Sequence, residues 1–259
     1  MNSNNKFNLN TIIVFVCTGI YILYTVINNM TGDQISTMIL LGTDYKTFTL
    51  GLGEYWRLFT SGFCHFSLIH LLCNMVSLLS LGNFILTVYG NKKYLIFLFT
   101  GIIIGSLSSG ILNTNTIESG LSSGLYTFFI IFILYIFTYH KRVSGNFFSI
   151  ILINFGMNFI PNVAWQAHLG GAIAGIIFFV IEYYEQEDNK GLANLYKLLV
   201  IVLTIGLFIK YNGTKKDIID YPGTDIAYVN YVETHFPQLK DHYYNKMIEY
   251  YKGKEDLYE

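Results

Sequence analysis

The stretch Glu118-Ser-Gly-Leu-Ser-Ser-Gly-Leu-Tyr126 runs out of a short polar segment directly into a long apolar run. Small and hydroxyl-bearing residues at the start of an apolar helix indicate that another part of the chain approaches it closely. We therefore take Ser122 as a candidate nucleophile, placed just below a membrane surface and assisted by groups on other helices.

The composition of the whole chain places this stretch in a membrane protein. The 259 residues are 53% hydrophobic and 13% charged, with a mean hydropathy of +0.43. Soluble domains carry about 25% charged residues, and long apolar runs are typical of membrane-spanning helices. A net charge of −1 gives no reason to expect nucleic acid. The expected fold class is an all-α polytopic membrane protein in contact with a lipid bilayer, without a cofactor.

Seven apolar runs predict seven membrane-spanning helices. They cover about residues 11–27, 68–89, 94–112, 121–139, 147–160, 164–183 and 195–211. The first run could belong to a cleavable signal peptide, but no small-x-small cleavage site follows it, which favours a retained helix. The long connection between the first two runs is itself half apolar, so we expect it to fold against the membrane surface.

These runs predict four parts of the chain. They are a short N-terminus (1–10), a six-span core (11–183), a linker with a seventh span (184–211) and a polar, tyrosine-rich tail (212–259). After Pro237 in the tail, apolar and aromatic residues recur at helical spacing, which predicts a short amphipathic helix. They are Leu239, Tyr243, Met247 and either Tyr250 or Tyr251. The tail is either an accessory or interaction segment or a solvated appendage.

The distribution of Lys and Arg favours a cytoplasmic N-terminus. The residues then placed inside are Lys6, Lys92, Lys93, Lys141, Arg142, Lys190 and Lys197. Lys210, Lys215 and Lys216 follow the seventh run and argue against this orientation, with less weight. In this topology the helices that begin near Ser122 and His168 both run inward from the outer surface. We expect a multi-pass protein of the cell (plasma) membrane whose site opens to the outer side.

Two pairs of polar residues occupy the starts of predicted spans. Ionisable or strongly polar groups inside a membrane are costly, so they indicate a function. Ser122 and Tyr126 are spaced i, i+4, as are His70 and Asn74, and each pair therefore projects from one helix face. A hydroxyl, an imidazole and an amide at one depth are groups that acyl transfer requires.

The sixth span supplies a further imidazole beside a strip of glycines. His168 shares its helix face with Gly171 and Gly175, at i+3 and i+7. Glycines on one face let another helix backbone approach closely. The Ser-Ser-Gly start of the fourth span is a suitable partner, and such packing would bring His168 towards Ser122.

Two other interpretations use the same polar residues. A metal site could be formed by His65, His70, His168 and Cys64, but no carboxylate joins them and none are spaced i, i+4, so we expect no metal. A transporter or channel could use the His and Asn side chains as a polar path. No internal repeat of the kind found in secondary transporters is visible.

Four separated stretches together resemble the rhomboid family of intramembrane serine proteases. They are Glu54-Tyr-Trp-Arg57; the His-x(4)-His-x(3)-Asn segment from His65 to Asn74; Gly120-Leu-Ser122 with Tyr126 four residues on; and Ala167-His168 with Gly171 and Gly175. They lie in the family's order across about residues 54–183. The resemblance implies a six-helix rhomboid-like bundle, to which the predicted seventh helix is added at the C-terminal side.

The resemblance also implies a mechanism and a substrate class. Ser122 would be the nucleophile and His168 the general base of a Ser-His dyad, with Tyr126 stacked on the imidazole. His70, Asn74 and the Ser122 backbone N–H would stabilise the oxyanion, and Gly120 would permit the turn before the nucleophile. Transmembrane proteins would be the substrates, admitted past a cap and gate formed by residues 155–164 and the fifth span. A catalytically silent rhomboid-like protein that binds transmembrane segments is the alternative.

The adjacent serines leave the nucleophile open between two positions. Ser123-Gly124 matches the family's usual Ser-Gly pair, but Ser122 is the one with Gly two residues before it and Tyr four residues after it. We favour Ser122, which leaves Ser123 where the family more often has Gly. Ser61 is a second departure, because the family often has a further His there.

Overall fold

The protein is built almost entirely of helices. The computed structural model describes residues 8–113, 117–139, 164–218 and 222–255. Its α-helices are α1 (Leu9–Thr31), α2 (Gln34–Leu40), α3 (Arg57–Thr60), α4 (Leu68–Leu112), α5 (Ser122–Tyr139), α6 (Trp165–Gln186), α7 (Lys190–Gly213), α8 (Pro222–His235) and α9 (Lys240–Glu255). Two short strands, β1 (Asp44–Tyr45) and β2 (Ile117–Glu118), pair antiparallel.

Five of the helices in the described ranges are long and apolar enough to cross a membrane, namely α1, α4, α5, α6 and α7. The prediction of an all-α polytopic membrane protein is therefore confirmed. The predicted fifth span, at about residues 147–160, lies outside the described residues, as does nearly all of the predicted gate loop.

Helix α4 contains the predicted second and third spans, which meet at Gly90. Its 45 residues would measure roughly 68 Å as a straight helix, about twice the thickness of a bilayer core. Gly90 has φ 76° and ψ 175°, a conformation that glycine adopts without steric cost, and it breaks the helix. The Tyr89 and Phe97 ring centroids lie 5.6 Å apart, although eight residues of straight helix rise about 12 Å. The two halves of α4 therefore fold back on each other.

Glycines bring α4, α5 and α6 into close contact. A Cβ added to Gly171 of α6 would lie 2.0 Å from the Ser123 carbonyl oxygen of α5, and one on Gly175 would lie 2.8 Å from that of Thr127. A Cβ on Gly105 of α4 would lie 2.4 Å from the Ser123 Cβ. The glycine face of α6 thus packs on the backbone at the start of α5, which sets the position of His168 relative to Ser122.

The segment between α1 and α4, residues 32–67, is a compact structure that we call the first loop. Arg57 is fully buried within it and donates hydrogen bonds to the Ile39 and Thr43 carbonyl oxygens at 2.6 and 3.1 Å. Its guanidinium also pairs with Glu54, at 2.7 Å between Nη2 and Oε2. A buried guanidinium needs such a set of partners to offset its desolvation, so Arg57 organises the loop around itself.

The C-terminal tail forms two helices, α8 and α9, where the sequence predicted one. Tyr228 and Val232 of α8 and Tyr243 and Met247 of α9 are buried in a cluster with Phe48 of the first loop. The tail is therefore a packed part of the structure, which excludes the solvated appendage, one of the two alternatives that the sequence leaves open. The reason is that the aromatic side chains of the tail pack on an apolar surface of the first loop.

Candidate active site

Two helix starts bring Ser122 and His168 together. Ser122 is the first residue of α5, and His168 lies in the first turn of α6. The His168 Nε2 atom lies 2.8 Å from the Ser122 Oγ atom, which is hydrogen-bond distance. His168 is buried and Ser122 is half-buried. A hydroxyl bonded to an imidazole is the arrangement in which a base can take the proton of a nucleophile.

The Tyr126 ring fixes the orientation of this imidazole. Its centroid lies 4.1 Å from that of His168, with 9° between the ring planes. Tyr126 follows Ser122 by four residues on α5, so both side chains face α6. Stacking on one side and the Ser122 hydroxyl at the ring edge together restrict rotation of His168.

The turn before Ser122 is in close contact with the start of α4. Gly120 has a φ of +113°, and a Cβ there would lie 2.6 Å from the His70 ring and 3.3 Å from the Asn74 Nδ2 atom. Its N–H donates to the Ser61 carbonyl oxygen at 2.9 Å. Only glycine fits both the conformation and the space. Polar groups of His70 and Asn74 consequently border the backbone that leads into Ser122.

His65 has a role that the sequence did not reveal. Its Nε2 atom lies 2.9 Å from the Asn74 Nδ2 atom, and its Nδ1 atom lies 3.3 Å from the Phe63 carbonyl oxygen. Burial, with a smaller contribution from the nearby His70 ring, lowers the pKa of His65 to about 3. The neutral ring therefore donates from Nδ1 and accepts from Asn74 at Nε2. One N–H of the Asn74 amide is thereby engaged with His65.

Ser123 packs against Gly105 of α4. It is buried between helices, where its Oγ would lie 2.9 Å from a Cβ placed on Gly105. Thr127, one turn further along the same face, donates from its hydroxyl to the Gly171 carbonyl oxygen at 2.8 Å. The α5 helix thus presents Ser122 and Tyr126 to His168 and uses Ser123 and Thr127 for helix packing.

The alternative metal site has no counterpart in the part of the chain that the structure describes. No group of three or more His, Cys, Asp or Glu side chains there is arranged to hold a metal ion. The His65 and His70 rings do approach each other, with centroids 5.0 Å apart. His65 is engaged with Asn74, and His168 with Ser122.

Comparisons with known proteins identify a family whose domain covers this part of the chain. The model of the rhomboid domain matches residues 52–185, a range that contains all of the residues above. The chain is 25% identical over 199 residues to the rhomboid protease GluP of Bacillus subtilis, covering 74% of this chain and 39% of the relative. It is 28% identical to RHOMBOID-like protein 1 of Arabidopsis thaliana, covering 62% of this chain and 45% of the relative.

Other relatives differ in their activity. The chain is 30% identical over 156 residues to inactive RHOMBOID-like protein 8 of Arabidopsis thaliana, covering 57% of this chain and 44% of the relative. In these three comparisons the chain spans less than half of the relative's length. The relatives thus include both a protein named as a protease and one named as inactive.

Proposed function

This chain belongs to the rhomboid family, and we propose that it is an intramembrane serine protease that cleaves transmembrane proteins in or near their spanning segments. The observation that carries this proposal is the 2.8 Å contact between Ser122 Oγ and His168 Nε2, with Tyr126 stacked on the imidazole. A silent family member has no need to keep a nucleophile bonded to an oriented base. The relatives named as inactive make a silent transmembrane-segment binder the alternative.

The residues around this pair each have a place in an acyl-transfer reaction. His168 takes the Ser122 proton as Oγ attacks the scissile carbonyl carbon, and then returns it to the leaving amine. Water, deprotonated by His168, next attacks the acyl-enzyme ester; the bond to Ser122 Oγ breaks, His168 returns the proton to this oxygen, and the second product leaves as a carboxylic acid. The developing oxyanion accepts hydrogen bonds from Asn74, His70 and the Ser122 backbone N–H, the last of which lies at a positively polarised helix N-terminus.

The experiment that tests the function uses two readouts on the purified full-length protein. We expect the wild type to cleave a model single-span substrate and to be labelled by a serine-reactive fluorophosphonate. His168→Ala removes the base, so we expect both cleavage and labelling to be lost. A wild type that neither cleaves nor becomes labelled would contradict the protease proposal and favour the silent alternative.

The orientation in the membrane is part of the same proposal. The first loop, Ser122 and the C-terminal tail lie at one end of the bundle, as the contacts of Gly120 with Ser61 and of Tyr55 with Asn212 require. With a cytoplasmic N-terminus, that end faces outward in the cell membrane. A membrane-impermeant form of the phosphonate probe would then label intact cells, and labelling only after lysis would contradict this orientation.

The pair formed by His65 and Asn74 leads to a quantitative prediction. Asn74→Ala removes an oxyanion donor, and we expect kcat to fall by about 10²–10³ with little change in KM. The matched control is Asn91→Ala, at an exposed position beside the Gly90 break, which should leave kcat unchanged. An Asn74→Ala enzyme with full kcat would remove Asn74 from the mechanism.

A further inference from the structure

The helical pair formed by α8 and α9, which we call the C-terminal hairpin, encloses an aromatic residue of the first loop. Phe48 is fully buried, with Tyr228 of α8 against it edge-on at 4.9 Å and Tyr243 of α9 at 5.8 Å between ring centroids. Burial of aromatic rings contributes strongly to such an interface. The apolar contact holds the hairpin on the first loop.

Polar contacts set the register of this docking. The Asp225 carboxylate of α8 is buried and accepts hydrogen bonds from the Tyr45 hydroxyl at 3.0 Å and the Tyr251 hydroxyl at 2.6 Å. Lys246 of α9 pairs with Glu54 at 3.3 Å, and Glu54 also pairs with the buried Arg57. Losing a partner of a buried carboxylate is costly, so these contacts favour a single docked arrangement.

The first loop is in turn bonded to the turn that carries Ser122. Strand β1 in the loop pairs with β2, with Tyr45 opposite Ile117 and Asp44 opposite Glu118. Strand β2 ends two residues before Gly120, and the Gly120 N–H donates to the Ser61 carbonyl oxygen of the same loop. The residue that bonds to Asp225 therefore also belongs to the ladder next to the nucleophile turn.

We propose that the C-terminal hairpin is a positioning element for the active site, acting through Tyr45 and the β1–β2 ladder. A pair of two-residue strands is not stable alone, and the hairpin supplies the packing that keeps it formed. The ladder holds Gly120, and through it the Ser122 backbone N–H, where the oxyanion develops. This inference rests on the proposed protease function for its catalytic consequence, but its structural part stands separately.

The test compares two substitutions that weaken the hydrogen bond between Tyr45 and Asp225 with a control. Tyr45→Phe removes its donor, and Asp225→Asn weakens its acceptor together with the bond from Tyr251. The control is Tyr244→Phe, on the exposed face of α9. We expect Asp225→Asn and Tyr45→Phe each to lower kcat roughly tenfold and to leave KM within about twofold of the wild type. The expected loss is smaller than the ~10² that a 1 Å misplacement of catalytic groups can cost. The double variant should lose less than the product of the two single effects, because both substitutions weaken the hydrogen bond between Tyr45 and Asp225. Tyr244→Phe should behave as wild type.

Amide hydrogen exchange separates this inference from the protease proposal, because it needs no catalysis. We expect exchange at residues 117–121 to rise in Asp225→Asn and Tyr45→Phe and to stay unchanged in Tyr244→Phe. Faster exchange confined to the hairpin, with residues 117–121 still protected, would overturn the positioning role. Absence of wild-type cleavage together with the expected exchange pattern would refute only the protease function. If Asp225→Asn does not fold, Tyr45→Phe decides alone.

Discussion

Ser122→Ala is expected to abolish cleavage of a single-span substrate, whereas Ser123→Ala is expected to retain most of it. Ser122 is the serine whose Oγ contacts the imidazole of His168, while Ser123 is packed against Gly105. Removing the nucleophile of a serine protease costs a factor on the order of 10⁶ in kcat. The measurement is single-turnover cleavage in detergent micelles or liposomes.

The adjacent serine is the matched control for this substitution. Ser123→Ala removes a buried hydroxyl without enlarging the residue that faces Gly105, so the helix contact is preserved. Full activity in Ser122→Ala would refute the assignment. Activity lost in Ser123→Ala but kept in Ser122→Ala would move the nucleophile by one residue, and phosphonate labelling of each variant would identify the serine directly.

Gly171→Ala is expected to lower both stability and activity. The added Cβ would lie 2.0 Å from the Ser123 carbonyl oxygen, so α5 and α6 have to move apart. Overpacking of this kind costs about 1–3 kcal/mol. Because Ser123 is adjacent to the nucleophile, the same movement separates Ser122 from His168, and a 1 Å displacement can cost about 10² in rate. Thermal unfolding in micelles and kcat/KM measure the two effects.

The control is a Gly-to-Ala substitution at a helix position where the added Cβ touches no other part of the protein. A Cβ at Gly206 in α7 meets nothing within 4 Å. Gly206→Ala should therefore stabilise the helix slightly, by about 0.5–1 kcal/mol, and leave catalysis unchanged. If Gly171→Ala matched Gly206→Ala in both readouts, the close approach of α5 and α6 would not matter to the site.

Much of the candidate site could be predicted because its geometry is local. The spacing of Ser122 and Tyr126, and of His168 and Gly171, depends only on the periodicity of an α-helix in a strongly apolar run. The membrane class followed from hydropathy in the same way. The choice between Ser122 and Ser123 also depends on which helix face meets His168, and here the structure adds the contact of Ser123 with Gly105.

Other features depend on contacts that no local pattern encodes. Tyr45 and Asp225 are 180 residues apart, so nothing near either residue indicates their hydrogen bond. The spacing of Leu239, Tyr243 and Met247 predicts an amphipathic helix in the tail, but it does not indicate that this helix packs on Phe48. The contact of His65 with Asn74 depends on the path of the chain after the 3₁₀ turn at Ser61–Phe63. That path places the His65 ring against α4.

The break at Gly90 has a consequence for biosynthesis. Since the two halves of α4 are joined with almost no intervening loop, they form a helical hairpin whose ends must reach the same side of the bilayer. We expect such a unit to enter the lipid as a pair, because the break at Gly90 leaves no loop that would let one half orient separately from the other. A bulky β-branched residue at this position, where φ is 76°, would therefore reduce the amount of inserted protein before it affected any property of the mature molecule.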